Sequence, residues 1–379
     1  MKIVHLSDFH LGKNVNGFLM LDDQRYILDE IIKIIDLEMP DAIIIAGDIY
    51  DRSVPPAEAV ALFDEFLKKI SKREIETFVI SGNHDSAERI AFASTLIDKS
   101  GIHFSPVYDG KIRKFELDDE YGEVNFYMLP FVKPLTVAEV FLEEKEKIKS
   151  YTDALGLAIS KMEIDKTKRN VLVAHQFVTG AIRSDSEEKS LGGMDNVDAE
   201  VFADFDYVAL GHIHKPQKIT EKIRYSGSIL KYSFSEIKFD KSVAVVEMGK
   251  KGELKVREVP LTPKRDMKEL KGRYMELTDK KFYDEINRED YFHIILTDEE
   301  DVLDAIDRLR VIYPNVMALD YDNKRTRSAE KVLADVRVDD MLPLELFADF
   351  YKKQNGQEMS DEQRKYLDEM IKEIWEKKR

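Results

Sequence analysis

The chain contains no cysteine, which excludes disulfides, thiolate-ligated metals, iron–sulfur clusters and a cysteine nucleophile. It also lacks an excess of positive charge: 58 Lys+Arg against 74 Asp+Glu leave a formal charge of −16. A protein that holds nucleic acid by bulk basicity is thereby excluded, and any such site must be a local patch or rely on bound cations. No run of roughly 18 apolar residues occurs, so no segment reads as membrane-spanning. The opening Met1-Lys2-Ile3-Val4-His5-Leu6-Ser7-Asp8 has no apolar leader and runs straight into a strand pattern, unlike a signal peptide. These absences predict a soluble, cytoplasmic, acidic protein. A phosphate loop of the form Gly-x-x-x-x-Gly-Lys-Ser/Thr is missing too. Gly12-Lys13, Gly110-Lys111 and Gly249-Lys250 are followed by Asn14, Ile112 and Lys251, so ATP would have to be bound elsewhere.

What is present reads as a folded, multi-domain chain. Hydrophobic residues make up 43% of its 379 residues, enough for a real core, and the length suggests two or three domains at roughly 100–200 residues each. In the first two-thirds, short β-branched runs end in polar clusters: Ile3–Leu6, Ala42–Ala46, Thr77–Ile80, Val171–Ala174 and Tyr207–Leu210. Continuous apolar runs of that length suit strands buried on both faces. Helical stripes lie between them, in 26–37 (Ile27, Ile31, Ile34, Ile35) and after Pro55-Pro56 (Val60, Phe63, Leu67, Ile70). Alternating strands and helices predict an α/β layer fold. From 226 to 259 the pattern is strands and turns, with 242–247 a strand closed by a turn at 249–252. It resets at Pro260–Pro263, which divides the chain into 1–262, 263–325 and 326–379. Residues 268–323 read as a small α+β unit: strand 292–296, helix 301–311, strand 316–320. The tail from 341 reads as helical, with Ser360-Asp361-Glu362-Gln363 a capping box before Leu367, Met370, Ile371, Ile374 and Trp375. That stripe suits either packing on its own domain or docking on a coiled-coil partner.

Five short motifs follow predicted strands: Asp8-Phe9-His10, Gly47-Asp48-Ile49-Tyr50-Asp51-Arg52, Gly82-Asn83-His84-Asp85, His175 and Gly211-His212-Ile213-His214. Loops at the carboxyl ends of strands in an α/β sheet converge on one crevice. Oxygen and nitrogen donors without thiolates favour Mn or Fe, and the set is large enough for two ions. Two cations a few Å apart can clamp a phosphoryl group and activate water, with a carboxylate shared between them and a His donating the proton to the leaving oxygen. His5, His103 and His293 fall inside apolar patterns and read as structural, and Asp85 as a local cap. Arg52, Arg89, Lys215 and Lys231 flank the motifs and are candidates for holding DNA phosphates.

In their order along the chain, these motifs resemble the calcineurin-like metallophosphoesterases. Arg89 and the run Tyr225-Ser226-Gly227-Ser228-Ile229-Leu230-Lys231-Tyr232-Ser233-Phe234-Ser235-Glu236 are similar to the Mre-type DNA-repair nucleases of that superfamily, over roughly residues 1–245. The resemblance implies a layered β-sandwich flanked by helices, with a small α+β capping domain and a helical C-terminal tail. It implies two divalent ions, Mn2+ foremost. One would be held by Asp8, His10, Asp48 and His214, the other by Asp48, Asn83, His175 and His212. His84 would protonate the leaving oxygen. The family's archaeal and eukaryotic members carry a His where this chain has Asp51. That Asp instead resembles the one that orients the catalytic His in phosphoprotein phosphatases, so Asp51 is expected to pair with His84 and stabilise its charged form. The activities implied are 3′→5′ exonuclease on duplex DNA and endonuclease on single strands and hairpins. The partners implied are DNA, an SbcC-type coiled-coil ATPase and a second copy of the chain. The alternative is a phosphodiesterase or phosphatase for a small molecule or a phosphoprotein, because function lives in the pocket walls rather than the fold. An inactive scaffold does not suit a complete ligand set.

Overall fold

The computed structural model describes residues 1–92, 94–187, 195–324 and 358–376, with positions 326, 344, 345, 347, 348, 351 and 352. It divides into two compact units. One comprises Met1–Leu270, Thr278–Ile294 and Asp304–Leu319, the other Lys271–Leu277, Ile295–Leu303 and Asp320–Arg379. The sequence places a boundary at 262/263, whereas residues 263–270 group with the first unit.

The first unit is built on two six-stranded sheets. One runs, in spatial order, Leu254–Pro260, Ser242–Met248, Lys2–Leu6, Ala42–Ala46, Glu76–Ile80 and Ile102–Phe104. Lys2–Leu6 is parallel to Ala42–Ala46 and antiparallel to Ser242–Met248. The other runs Gln217–Lys218, Ile223–Tyr225, Tyr207–Gly211, Arg169–His175, Gly122–Met128 and Arg113–Asp119. Alternation along each strand explains the layering. Ile3, Ala42, Ile44, Phe78 and Ile80 meet Val124, Phe126, Val171, Val173 and Ala209 in a core between the sheets. There the Phe78 and Phe126 rings stack at 4.4 Å. The odd-numbered partners Ile43, Ile45 and Val79 face the other way and pack on Ile27, Ile31, Ile35, Phe63 and Phe66, from helices Leu21–Glu38 and Ala57–Ser71. On the far side Leu172, Ala174, Val208 and Leu210 pack on Ala154, Leu155 and Ala158 of helix Tyr151–Ser160, capped by the Ser150 hydroxyl. Helix, sheet, sheet, helix: strands buried on both faces are why the apolar runs are continuous.

His5, in the inter-sheet layer, accepts or donates one hydrogen bond with Tyr207 Oη at 2.9 Å and is fully buried. His103 lies between Glu76 and Asp98, and neither histidine is hydrogen-bonded to a member of the donor cluster described below. In the C-terminal third, Met267–Gly272, Tyr291–Leu296 and Val316–Tyr321 form a three-stranded sheet. The helix expected over 301–311 is shorter, Ala305–Arg310, because Asp304 sits at φ 49° and cannot continue it. In the second unit Lys271 pairs with Asp322 at 2.5 Å. The expected capping box is present: Gln363 N donates to Ser360 Oγ (3.3 Å) and Ser360 N to Gln363 Oε1 (3.0 Å), opening helix Asp361–Glu376. Most of 326–357 lies outside the described residues.

Candidate metal centre

The carboxyl ends of Lys2–Leu6, Ala42–Ala46 and Glu76–Ile80 from one sheet meet those of Arg169–His175 and Tyr207–Gly211 from the other. The approach is closer than a side chain allows. A Cβ on Gly211 would lie 1.9 Å from the Ala46 carbonyl oxygen, and one on Gly82 would lie 2.1 Å from Asp48 Oδ1. Four chemistry-bearing residues are forced into left-handed backbone: Asp8 (φ 54°), His10 (46°), Asp48 (49°) and His212 (99°). Such conformations cost about 1–2 kcal/mol each and persist only where surroundings over-determine them. Here they are held by Asp8 N to Gly47 O and His10 N to Asp48 O, both 3.0 Å, and by His212 N to Asp8 Oδ1, 2.9 Å.

All seven expected donors converge. Ligand atoms of Asp8, His10 and His214, and of Asp8, Asp48 and His175, each lie within 4.8 Å of one another. Asp48 Oδ2 is 3.3 Å from His175 Nε2 and 3.6 Å from His10 Nε2, so one carboxylate faces a histidine from each sheet. Asn83 Oδ1 is 3.0 Å from His175 Nε2 and 2.9 Å from His212 Nδ1. His10 Nε2 and His214 Nε2 face each other at 3.0 Å.

This donor set fits cations. His175 Nδ1–H donates to the Ala46 carbonyl at 2.8 Å, which leaves Nε2, the nitrogen that a proton or a metal ion can occupy, facing a carboxylate and an amide oxygen. Acceptors aimed at one another repel unless positive charge lies between them. The electrostatics of the buried cluster agree. Burial opposes charge on His175, yet Asp48 and Asp8 raise it to about 9. Burial lowers His10 and His212 well below the usual histidine range, keeping both neutral. Burial works against ionised Asp48 too, but His175, His10 and His84 outweigh it and hold that carboxyl well below the usual range.

His84 donates its backbone N–H to Asp48 Oδ1 at 2.9 Å, and its ring stands edge-on to His10 at 4.8 Å. The expected pairing with Asp51 is corrected in one respect. His84 Nδ1 meets the Asp51 backbone carbonyl at 3.0 Å, while the Asp51 carboxylate takes Lys13 Nζ at 2.7 Å and lies 3.7 Å from His10 Nδ1. Lys13 is the nearest permanent charge, with Arg52 Nε 3.7 Å from the other oxygen, so lysine captures the carboxylate. Asp85 is the cap it was expected to be, accepting from Ile49, Tyr50 and Gly82 N–H groups at 2.9–3.1 Å. Burial and then Asp48 push it up to about 6. Among the phosphate candidates Arg52 and Arg89 are exposed and Lys215 is half-buried. Lys231 is drawn off: it is 10% exposed and paired with Asp266 at 2.8 Å, which removes it from that set.

Sequence reasoning missed a buried support. His214 Nδ1 meets Ser186 Oγ at 2.7 Å and Glu236 Oε1 at 3.4 Å. Its backbone N–H donates to Glu187 Oε1 at 2.7 Å. Glu236, fully buried, pairs with Lys241 Nζ at 2.5 Å, and Lys241 also donates to the His214 carbonyl at 2.7 Å. Gln24 Nε2 donates to the His10 carbonyl at 2.7 Å. Second partners of this kind fix which imidazole nitrogen carries the lone pair. Glu236 lies within the 225–236 run but carries no spacing signal of its own.

Residues 1–216 match the family described as calcineurin-like phosphoesterase. The chain belongs to that family, a class of metal-dependent phosphoester hydrolases with a two-metal centre, and its donor cluster stands where such a centre requires one. Residues 263–355 match the family described as type 5 capsule protein repressor C-terminal domain. Two curated relatives, both named as the D component of the nuclease SbcCD, match nearly end to end. The protein from Staphylococcus epidermidis is 36% identical over 374 residues, covering 96% of each chain. The one from Staphylococcus saprophyticus is 34% identical over 384 residues, covering 99% of each. Within the calcineurin-like class, this chain belongs to the SbcD family of nuclease subunits. Among solved structures, a dimetal phosphatase from Danio rerio aligns over 69% of this chain and 98% of its own, at 10% identity and TM-score 0.42. No helix among the described residues is long and apolar enough to cross a membrane.

Proposed function

We propose that this chain is a DNA nuclease subunit that uses two Mn2+ ions at the donor cluster and acts with an SbcC-type coiled-coil ATPase as a homodimer. Its activities are 3′→5′ exonuclease on duplex ends and endonuclease on single strands and hairpins. The observation that carries the reading is the meeting of Asp48 with histidines from both sheets, in a chain similar over nearly its whole length to proteins named as nuclease components. Asp8, His10, Asp48 and His214 would hold one ion, and Asp48, Asn83, His175 and His212 the other, so that Asp48 would serve both. When bound, the ions supply the positive charge that polarises a phosphodiester and acidifies water. The chain's own residues do the rest. The Asp51 carbonyl accepts a hydrogen bond from His84 Nδ1–H and fixes the ring. Nε2 is then the nitrogen that delivers a proton to the leaving oxygen. Asp51 acts through that carbonyl, with its carboxylate anchoring Lys13. Arg52, Arg89 and Lys215 meet backbone phosphates. Residues 263–325 serve DNA binding, and 326–379 the docking of the ATPase, for which the helix Asp361–Glu376 offers an amphipathic face.

The formal charge of −16 favours the alternative of a small phosphodiester substrate, and one experiment separates the two. Metal-stripped protein is given Mn2+ with end-labelled duplex and circular single-stranded DNA, beside His84→Ala. Mn2+-dependent cutting that the variant lacks is the expected result. Intact DNA beside hydrolysis of an aryl phosphodiester would move the substrate to the alternative.

A further inference from the structure

A cavity of about 160 Å³ adjoins the donor cluster. Asn83 and His212 line it on the cluster side, with Phe131, Tyr151, Gln176, Phe177 and Asp195 around the rest. It lies below the roughly 300–1,000 Å³ of pockets that bury a drug-sized ligand, so it admits one small group and neither a duplex nor a folded partner. Two aromatic rings in it are fixed from behind. Phe131 lies nearly parallel to His212, at 16° and 6.5 Å between centroids, and edge-on to His175 at 6.1 Å. Phe177 is backed by the Arg183 guanidinium 3.6 Å from its ring centre, itself paired with Asp195 at 2.5 Å. Asp195, 7% exposed, keeps its Oδ1 without a hydrogen bond among the described residues, and Gln176 is 1% exposed. Its Nε2 donates to the Val132 carbonyl at 3.0 Å, while its Oε1 takes no hydrogen bond from any described residue. Lys133 stands exposed at the rim.

Aromatic faces beside two buried acceptors, one of them a carboxylate, do not suit a phosphate. They suit a planar heterocycle that carries an N–H or amino group on its edge. We infer that this cavity is a nucleobase subsite: it takes, unstacked, the base of the nucleotide whose phosphate lies at the donor cluster. The inference deepens the nuclease reading and rests on it. Phe131 and Phe177 supply π faces that accept any base, Gln176 Oε1 accepts from the base edge, and Lys133 meets the neighbouring phosphate. A base leaves its stack at least cost when already single-stranded or unpaired. The subsite therefore suits frayed ends and hairpin loops better than the middle of a duplex.

The test is calorimetric binding of deoxyadenosine 5′-monophosphate and of 2-deoxyribose 5-phosphate to the full-length, Mn2+-loaded protein. The two ligands share the phosphate and sugar and differ by the base. We expect the nucleotide to bind about 5–150-fold more tightly, the range for stacking one base on aromatic side chains. Phe131→Leu/Phe177→Leu should bring that ratio close to one. If this double variant fails to fold, Phe177→Leu alone should still lower the ratio. Equal affinities in the unaltered protein would overturn the subsite, whatever the protein does to DNA. A ratio that survives the Leu variants would overturn its placement here. A large ratio lost in those variants, in a protein that leaves DNA uncut, would support the subsite and sink the nuclease reading instead.

Discussion

Glu236→Ala probes the buried support beneath His214, and its cost follows from the surroundings. Glu236 is fully buried and Lys241 is 4% exposed, with Nζ 2.5 Å from Oε2. At an effective dielectric of about 20, that separation corresponds to roughly 7 kcal/mol of gross attraction, most of it spent on desolvating both ions. Burial disfavours the ionised carboxyl, yet Lys241 and His214 hold it well below the usual carboxylate range. Truncation leaves an ammonium group buried, with only the His214 carbonyl and Ser228 Oγ, both at 2.7 Å, to solvate it. Breaking a buried pair from one side costs about 3–5 kcal/mol. Urea unfolding of the metal-free protein should show that loss, whereas Glu236→Leu/Lys241→Met should recover most of it. A second effect is separable. Without Glu236 and its hydrogen bond from Ser186, the His214 ring loses the partner that fixes its tautomer, and Mn2+ affinity should fall about 10–100-fold. Glu236→Gln, which keeps an acceptor, should lose less. A Glu236→Ala protein less than about 1 kcal/mol down in stability and unchanged in metal affinity would refute the argument.

Asp48→Ala should remove both ions and all activity, because one carboxylate serves two sites; two Mn2+ per chain by elemental analysis of the variant would exclude the shared role. His84→Ala should keep the metals and lose about 10²–10⁴-fold in turnover, with wild-type rates placing the proton donor elsewhere. Burial lowers His5 to about 3, with the Leu210 backbone opposing. The unfolded chain, near 6.5, therefore binds a proton that the folded state refuses. Stability should be lost as pH falls from about 6.5 toward 3, by up to about 1.4 kcal/mol per pH unit from this group. His5→Leu/Tyr207→Phe should give a shallower acid limb in urea titrations, and an unchanged slope would locate the proton uptake in other groups.

The strands were legible because being covered on both faces leaves an uninterrupted apolar run, as in Ala42–Ala46. The donors were legible because each stands within a few residues of such a run, where the backbone leaves the sheet. The hairpin Arg113–Asp119/Gly122–Met128 carried a weaker signal, since its first strand alternates half-buried and exposed residues along an edge. The contribution of Asp51 could not be read from its side chain, because the group that meets His84 is a carbonyl that any residue owns. Glu236 and Lys241 were equally silent. Their pairing is local in sequence, but what gives it meaning is His214, brought in by a different turn of the chain. Lys231 illustrates the reverse failure: a basic residue in a site motif, neutralised by an Asp266 that no local pattern connects to it.

The placement of Lys2–Leu6 between Ala42–Ala46 and Ser242–Met248 bears on how the protein comes into being during synthesis. A nascent chain that has emerged as far as residue 100 already carries Asp8, His10, Asp48, Asn83 and His84, yet its first strand has an open edge. Its inner sheet face has nothing to pack against. His175, His212 and His214 arrive later, on the second sheet, and the strand that closes the first sheet arrives later still. Whatever chemistry the cluster supports is therefore withheld until about 250 residues have been made and both sheets have closed on each other. A half-made chain, or one truncated by a premature stop, carries most of the reactive residues and none of the activity.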